Sequence, residues 1–352
     1  MAAKFRRLFG AIALVLVSGV LSLAAGEGAA RVWMPHWRDF SSERFLAQTF
    51  VPGHGFVTIG RPGFDVYFAQ NNGNLRVLVR INDFGLRQPE PPEAASGRIW
   101  VVGDSFTFGW GVEENQMYSS VLGRLSAVST YNVASPGASI CGYQRLVRRM
   151  PREIDPKLVV VGLTTDNDMV DSYDACAVSN APETPPPAPP RQRLALHEMK
   201  EWATHHSALN NFFAVALKRN PLTARWLASL GLVRPIAVDR AGVPSGDAAR
   251  RAAASSARET VRIAAYIPAG TPVPALLIPS RFDILRNAGS TRLRELLTAA
   301  PAAEGVAVAD PTPELMAAGF AAVHFSNDGH WTPQAHNIAA RVLSRALASF
   351  NL

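Results

Sequence analysis

A chain of 352 residues with 48% apolar and 18% charged residues can bury a sizeable core, which excludes a disordered or fibrous protein. Its formal charge of +7 comes mostly from scattered arginines. No basic block is interleaved with aromatics, so nucleic-acid binding is not indicated.

At the N-terminus Lys4, Arg6 and Arg7 precede an uncharged run from Leu8 to Ala25, and the next charge is Glu27. This run is long enough to cross a bilayer as a helix and longer than most signal-peptide cores. Ser22 and Ala24, or Ala24 and Gly26, also satisfy a small-residue cleavage rule; the length favours a retained anchor over residues 1–26. The flanking charges orient the N-terminus inwards and everything after Glu27 outwards, which makes the folded part extracytoplasmic on the inner membrane. In that oxidising compartment Cys141 and Cys176 are expected to form a disulfide. Two cysteines without suitable histidine spacing give no structural-zinc site.

Residues 27–60 show little periodicity and read as a stalk. Phe64 to Phe68 and Leu75 to Ile81 alternate around Asn71-Asn72-Gly73-Asn74, a β-hairpin pattern, and the stalk and hairpin together occupy 27–97. From Arg98 short apolar strands alternate with helical stretches, which implies a parallel sheet. The predicted strands are Ile99–Val102, Tyr131–Val133, Leu158–Gly162, Ala275–Ile278 and Val306–Ala309. Predicted helices lie near Asn115–Leu125, Ser139–Met150, Ala248–Tyr266, Thr291–Ala299 and Pro333–Ala348, the last opened by Thr332-Pro333. Residues 177–246 interrupt the alternation as an insertion. It is proline-rich over Pro182–Pro190 and then helical from Arg193 to about Trp226, with a break near Asn220-Pro221. A substrate lid and a structural decoration both fit its length.

The first strand ends abruptly in Gly103-Asp104-Ser105. Open α/β sheets bind ligands at the C-terminal edge of their strands, so Ser105 is the candidate nucleophile. Alone, the tripeptide is also an ordinary turn. Asp328-Gly329-His330, directly before the last helix, supplies a base and an acid placed to hold the other imidazole nitrogen. Two loops at the same edge supply oxyanion donors: the Gly137 backbone N–H and the Asn167 side-chain amide. His336 falls inside the last helix, and His205-His206 in the insertion.

Taken in this order the segments resemble the SGNH hydrolases, the GDSL esterase/lipase superfamily, over about residues 98–350. The matching blocks are Gly103-Asp104-Ser105, Gly137, Asn167-Asp168, and Asp328 with His330. The resemblance implies a three-layer α/β/α sandwich with a parallel, flavodoxin-like five-stranded sheet. It also implies Ser105 as nucleophile, His330 as base, Asp328 as orienting acid, and an oxyanion hole of the Ser105 N–H, Gly137 N–H and Asn167 amide. Two spacings depart from the family. Four residues separate Gly162 from Asn167, and the acid stands two residues before the histidine, with Asn327 at the usual third position. The second spacing resembles that of membrane-associated SGNH-like polysaccharide O-acetyltransferases, and Arg80-Ile81-Asn82-Asp83-Phe84-Gly85-Leu86-Arg87 resembles anchored bacterial members. Position 107 is Thr, so Gly-x-Ser-x-Gly is absent. The expectation is an esterase acting on acyl, chiefly acetyl, esters of carbohydrate or envelope substrates, with no cofactor. An O-acyltransferase and a catalytically inactive glycan-binding protein are the alternatives.

Overall fold

The computed structural model describes residues 2–40, 45–69, 75–165, 168–169, 176, 184–185, 195–220, 222–223, 226, 229, 246–286, 291–326 and 328–350. Chain packing divides the protein into two units.

The first unit comprises Met1–Ser42, Phe68–Gly73 and Pro190–Ile236. It holds α1 (Ala2–Trp33), α5 (Ala195–His206) and α6 (Ala208–Arg219). The stretch Phe9–Trp33 of α1 is long and apolar enough to cross a membrane. The helix expected to run unbroken from Arg193 to the Asn220 region breaks earlier, at Ser207. The Ser207 hydroxyl accepts from Asn210 N at 3.0 Å. The Glu27 carboxylate accepts from the Ser207 hydroxyl and from the Ala208 and Leu209 N–H groups at 2.8–3.0 Å. A carboxylate from α1 thus satisfies the orphan donors that open α6. That partner lies 180 positions away in sequence, so local pattern carries no sign of the break.

The second unit comprises Glu43–Tyr67, Asn74–Pro189 and Ala237–Leu352. The stretch read as an unpatterned stalk contains an antiparallel hairpin, β1 (Leu46–Val51) with β2 (Gly55–Gly60). Gly53 and Gly55 take positive φ in its turn, and Val51, Val57 and Ile59 are buried in the main core. Next come β3 (Asp65–Ala69) and β4 (Arg76–Arg80), which form a second two-stranded sheet; the expected Asn71–Asn74 turn lies outside the described residues.

The central sheet consists of β5 (Ile99–Gly103), β6 (Thr130–Ala134), β7 (Leu158–Thr164), β8 (Ala275–Ile278) and β9 (Val308–Ala309). All neighbours are parallel, in the order β6-β5-β7-β8-β9. This is the doubly wound flavodoxin-like order, with the switch point beside β5. Side chains alternate across the sheet. Trp100, Val102, Val159, Val161 and Ala275 face one way, towards α4 (Ile140–Arg149). On that face Leu277 meets α7 (Gly246–Arg262) and α9 (Thr291–Ala303), which follows the short α8 (Arg281–Arg286). Ile99, Val101, Leu158, Val160, Leu276 and Ile278 face the other way, onto α3 (Tyr118–Leu125) and α12 (Pro333–Leu347), with α10 (Thr312–Ala318) and α11 (Phe320–Val323) beside them. The result is the parallel sheet that the alternation implied, within the three-layer α/β/α sandwich expected from the resemblance.

Between β5 and α3 lies α2 (Ser105–Phe108). Its Thr107 is fully buried and bonds the Tyr118 hydroxyl at 2.8 Å. A Cβ on Gly103 would stand 2.7 Å from the Thr107 Cβ, and one on Gly162 2.6 Å from its Oγ1. Gly103→Ala is therefore expected to destabilise the fold by about 1–3 kcal/mol through overpacking, read as a lowered Tm. Adding Thr107→Ala should recover most of the loss; no recovery would mean that Thr107 is not what the glycine accommodates.

Candidate active site

Strand β5 ends at Gly103, and the next two residues form the turn into α2. The buried Asp104 side chain N-caps that helix, accepting from Phe106 N at 2.9 Å, and its other oxygen accepts from the Thr164 hydroxyl at 2.9 Å. Ser105 is thereby held as the first residue of α2 and is half-buried. Asn132 on β6 donates to the Thr107 carbonyl at 2.7 Å and ties the same turn to the neighbouring strand.

The candidate base, His330, arrives from the far end of the chain. Ser105 Oγ lies 2.8 Å from His330 Nε2. The opposite nitrogen, Nδ1, makes a very short contact with Asp328 Oδ1, and that oxygen also accepts from the His330 backbone N at 2.8 Å. The two-residue spacing makes both contacts possible, because one carboxylate oxygen closes the turn and holds the ring. The loop is pinned at its rim by Phe325 N to His330 O (3.2 Å) and Thr332 N to Val323 O (3.0 Å). Asp328 is buried, whereas the His330 side chain keeps about a quarter of its surface exposed, at 23%.

Gly137 lies three residues beyond Ala134, which pairs with Gly103 in the register of β5 and β6. It occupies an exposed turn with φ +74°, closed by Ala138 N to Ser135 O at 3.2 Å. Nothing stands within 4 Å of where its side chain would be. Asn167 lies outside the described residues. Its neighbour Asp168 is fully buried beyond β7, where one carboxylate oxygen accepts from the Tyr143 hydroxyl and Thr164 N, each at 2.9 Å. Burial and the nearby Asp104 push the Asp168 carboxyl well above the usual range. Cys141, at the start of α4, is joined to Cys176 by a disulfide with a Cα–Cα separation of 4.9 Å.

Two residues around the base were not singled out from the sequence. Phe106 and Trp110 both lie against His330, with ring centroids 5.1 and 5.6 Å away, Trp110 close to parallel at 29°. The sequence signal available was Gly109-Trp110-Gly111, an aromatic set between two glycines just after the serine.

The remaining nearby histidines are structural. His336, on α12, is buried and accepts from Tyr118 N at 3.2 Å through Nδ1; His324 stacks on Phe320 at 5.0 Å. Burial lowers both to about 3, helped by nearby Arg87 at His336 and by Arg281 at His324. Both are neutral in the fold, whereas the unfolded chain protonates them near pH 6.5. Their contribution to stability is therefore complete above pH 6.5 and lost as pH falls towards 3, by up to about 1.4 kcal/mol per pH unit for each. Asp168 acts with the opposite sign, since a raised carboxyl favours the fold at low pH. The comparison must therefore be made by difference: urea unfolding at pH 7 and pH 4.5 should show a smaller acid loss in His336→Asn than in the parent. Equal losses would rule out His336 as a source of acid lability.

Among the described residues no group of three or more His, Cys, Asp or Glu side chains could hold a metal ion. No family model matches the chain, and no curated protein does. Several solved structures align with it. One is a carbohydrate esterase family 2 enzyme with a carbohydrate-binding domain from Corynascus thermopiles (Myceliophthora fergusii), at 14% identity over 76% of this chain and 70% of that one, TM-score 0.41. Another is a lipase/acylhydrolase from Enterococcus faecalis, at 14% identity over 72% and 96%, TM-score 0.38. A third is a member of the lipolytic G-D-S-L family from Veillonella parvula, at 12% identity over 72% and 96%, TM-score 0.36.

Proposed function

We propose that this protein is a membrane-anchored serine esterase of the SGNH type that acts on acyl esters, chiefly acetyl esters, of carbohydrate or envelope substrates. The observation that carries the reading is the chain of contacts Ser105 Oγ–His330 Nε2 and His330 Nδ1–Asp328 Oδ1 at the C-terminal edge of the sheet. His330 removes the serine proton as Oγ attacks the ester carbonyl, and Asp328 compensates the imidazolium that forms. The imidazolium then gives its proton to the departing alcohol as the ester C–O bond breaks, leaving an acyl-Ser105. Water, deprotonated by the same histidine, releases the acid. The Ser105 and Gly137 N–H groups and the Asn167 amide are the donors assigned to the oxyanion. No metal or organic cofactor enters this sequence.

Attachment to the membrane through α1 rests on its apolar stretch Phe9–Trp33, and the disulfide suits an oxidising, extracytoplasmic location. Together they favour a polymeric or envelope substrate outside the cytoplasm. The two-residue acid–histidine spacing keeps acyl transfer to a sugar hydroxyl as the second reading, since the acyl-enzyme is common to both.

The test is fluorophosphonate labelling of the full-length protein in detergent, followed by hydrolysis of a small acetyl ester with and without a glycan acceptor. Labelling with acceptor-independent acetate release supports the esterase. Acceptor-dependent acylation makes the protein a transferase, and no labelling at all would leave the inactive glycan-binding reading. Asn167→Ala is expected to cost about 10²–10³ in kcat, the loss typical of one oxyanion donor. Turnover equal to the parent in a folded variant would remove Asn167 from the hole.

A further inference from the structure

Arg87 is buried, 1% exposed, and among the described residues its guanidinium donates to backbone carbonyls. Nη1 reaches the carbonyls of Phe108, at 3.3 Å, and Gly109; Nη2 reaches those of Val112, at 2.7 Å, and Leu78, at 3.2 Å. The Phe108 carbonyl ends α2 and those of Gly109 and Val112 belong to the loop that leaves it, so the loop bends round the cation with these carbonyls turned inwards. Residues 109 and 111 both have positive φ, and a Cβ on Gly111 would meet Leu75 at 2.6 Å and Phe325 at 2.8 Å. Trp110, between them, donates its backbone N–H to the carbonyl of Ser105 at 2.9 Å and lays its ring on His330.

We propose that Trp110, presented by the Arg87-held loop, is a positioning residue for the catalytic base. The inference rests on the esterase reading above. His330 is gripped at its two ends, Nδ1 and Nε2, and those contacts leave the ring free to swing about the line joining them. During the reaction Nε2 must turn from Ser105 Oγ to the leaving oxygen and no further. Trp110 and Phe106 limit that swing, because both rings contact the imidazole. Arginine suits the clamp because its planar fork directs two nitrogens at two pairs of carbonyls, which a lysine ammonium cannot do. Burial lowers Arg87 only to about 10, with Glu114 and Glu113 opposing the shift, so the clamp stays charged at neutral pH.

The test is a mutant cycle on the full-length protein with a small acetyl ester, with Tm measured for each variant. Trp110→Ala should lower kcat roughly 10- to 100-fold, the scale of an ångström-sized misplacement, with KM within about threefold of the parent. Trp110→Phe should restore most of the loss. Arg87→Lys should lower both Tm and kcat, and the double variant should have the kcat of Trp110→Ala alone, because the two act through one contact. Additive losses in kcat would mean that Arg87 does not act through Trp110 and would overturn the clamp. Should Arg87→Lys not fold, the Trp110 series decides: parental kcat in Trp110→Ala overturns the proposal. Absence of turnover and labelling in the parent itself would instead refute the esterase reading.

Discussion

Ser105→Ala is expected to lower kcat/KM for a small ester by about 10⁶-fold, the loss seen when a triad serine is removed, and to abolish fluorophosphonate labelling. The fold should survive. Ser105 is half-buried at the first position of α2, and that helix is capped by Asp104 and tied by Asn132 rather than by the serine hydroxyl. Alanine is also an excellent helix former. A Tm within a few degrees of the parent, together with the loss of activity, would locate the defect in the chemistry. Persistent labelling of Ser105→Ala would mean that a different nucleophile reacts. The residual rate should exceed that of the uncatalysed reaction if the proposed oxyanion donors act as assigned.

Asp328→Asn is expected to cost about 10⁴-fold in kcat, by analogy with removal of the charge behind a triad histidine. The same Oδ1 accepts from the His330 backbone and from Nδ1. An asparagine can keep the backbone contact and so preserve the turn. It cannot compensate the imidazolium, and its amide can hold the ring in the wrong tautomer. The variant should therefore fold with the parental loop and fail in the proton-transfer steps. A loss below about tenfold, against the 10⁴ expected for such a residue, would show that a different group orients His330. Trp110→Phe makes a useful contrast, because it changes the packing on the ring and leaves its charge partner in place.

Much of the central sheet was legible in sequence because its strands are short, wholly apolar and bounded by turn residues. Ala275–Ile278 matches residue for residue, and β5, β6 and β7 extend one or two residues beyond the predicted strands. At β9 the reverse holds: the strand begins at Val308, two residues after the predicted start at Val306. The β1–β2 hairpin was missed because its buried side chains, Val51, Val57 and Ile59, pack against the main core without marking both strands by alternation. The Ser207 break was missed because Glu27 supplies the cap from another part of the chain.

The candidate site divides in the same way. Asp328 and His330 are two residues apart, so their contact is a local property, open to a reading of spacing alone. Ser105 meets His330 across 225 positions, and sequence could offer only the topological argument that both stand at one edge of a parallel sheet. Arg87 carried a resemblance but no role in the sequence, because its partners are backbone carbonyls, which every residue type possesses.

By itself the sequence determined the strands of the central sheet and the edge at which Ser105 and His330 stand, because strand polarity and turn position follow from local patterns. It also determined the apolar segment before Glu27, which composition alone reveals. Only the tertiary structure decided which face of each strand meets which helix, and how the Trp110 ring comes to lie on His330. Those outcomes depend on packing between residues distant in the chain, for which the cost of a misplaced Cβ or an unsatisfied carbonyl is set by neighbours that sequence order does not name.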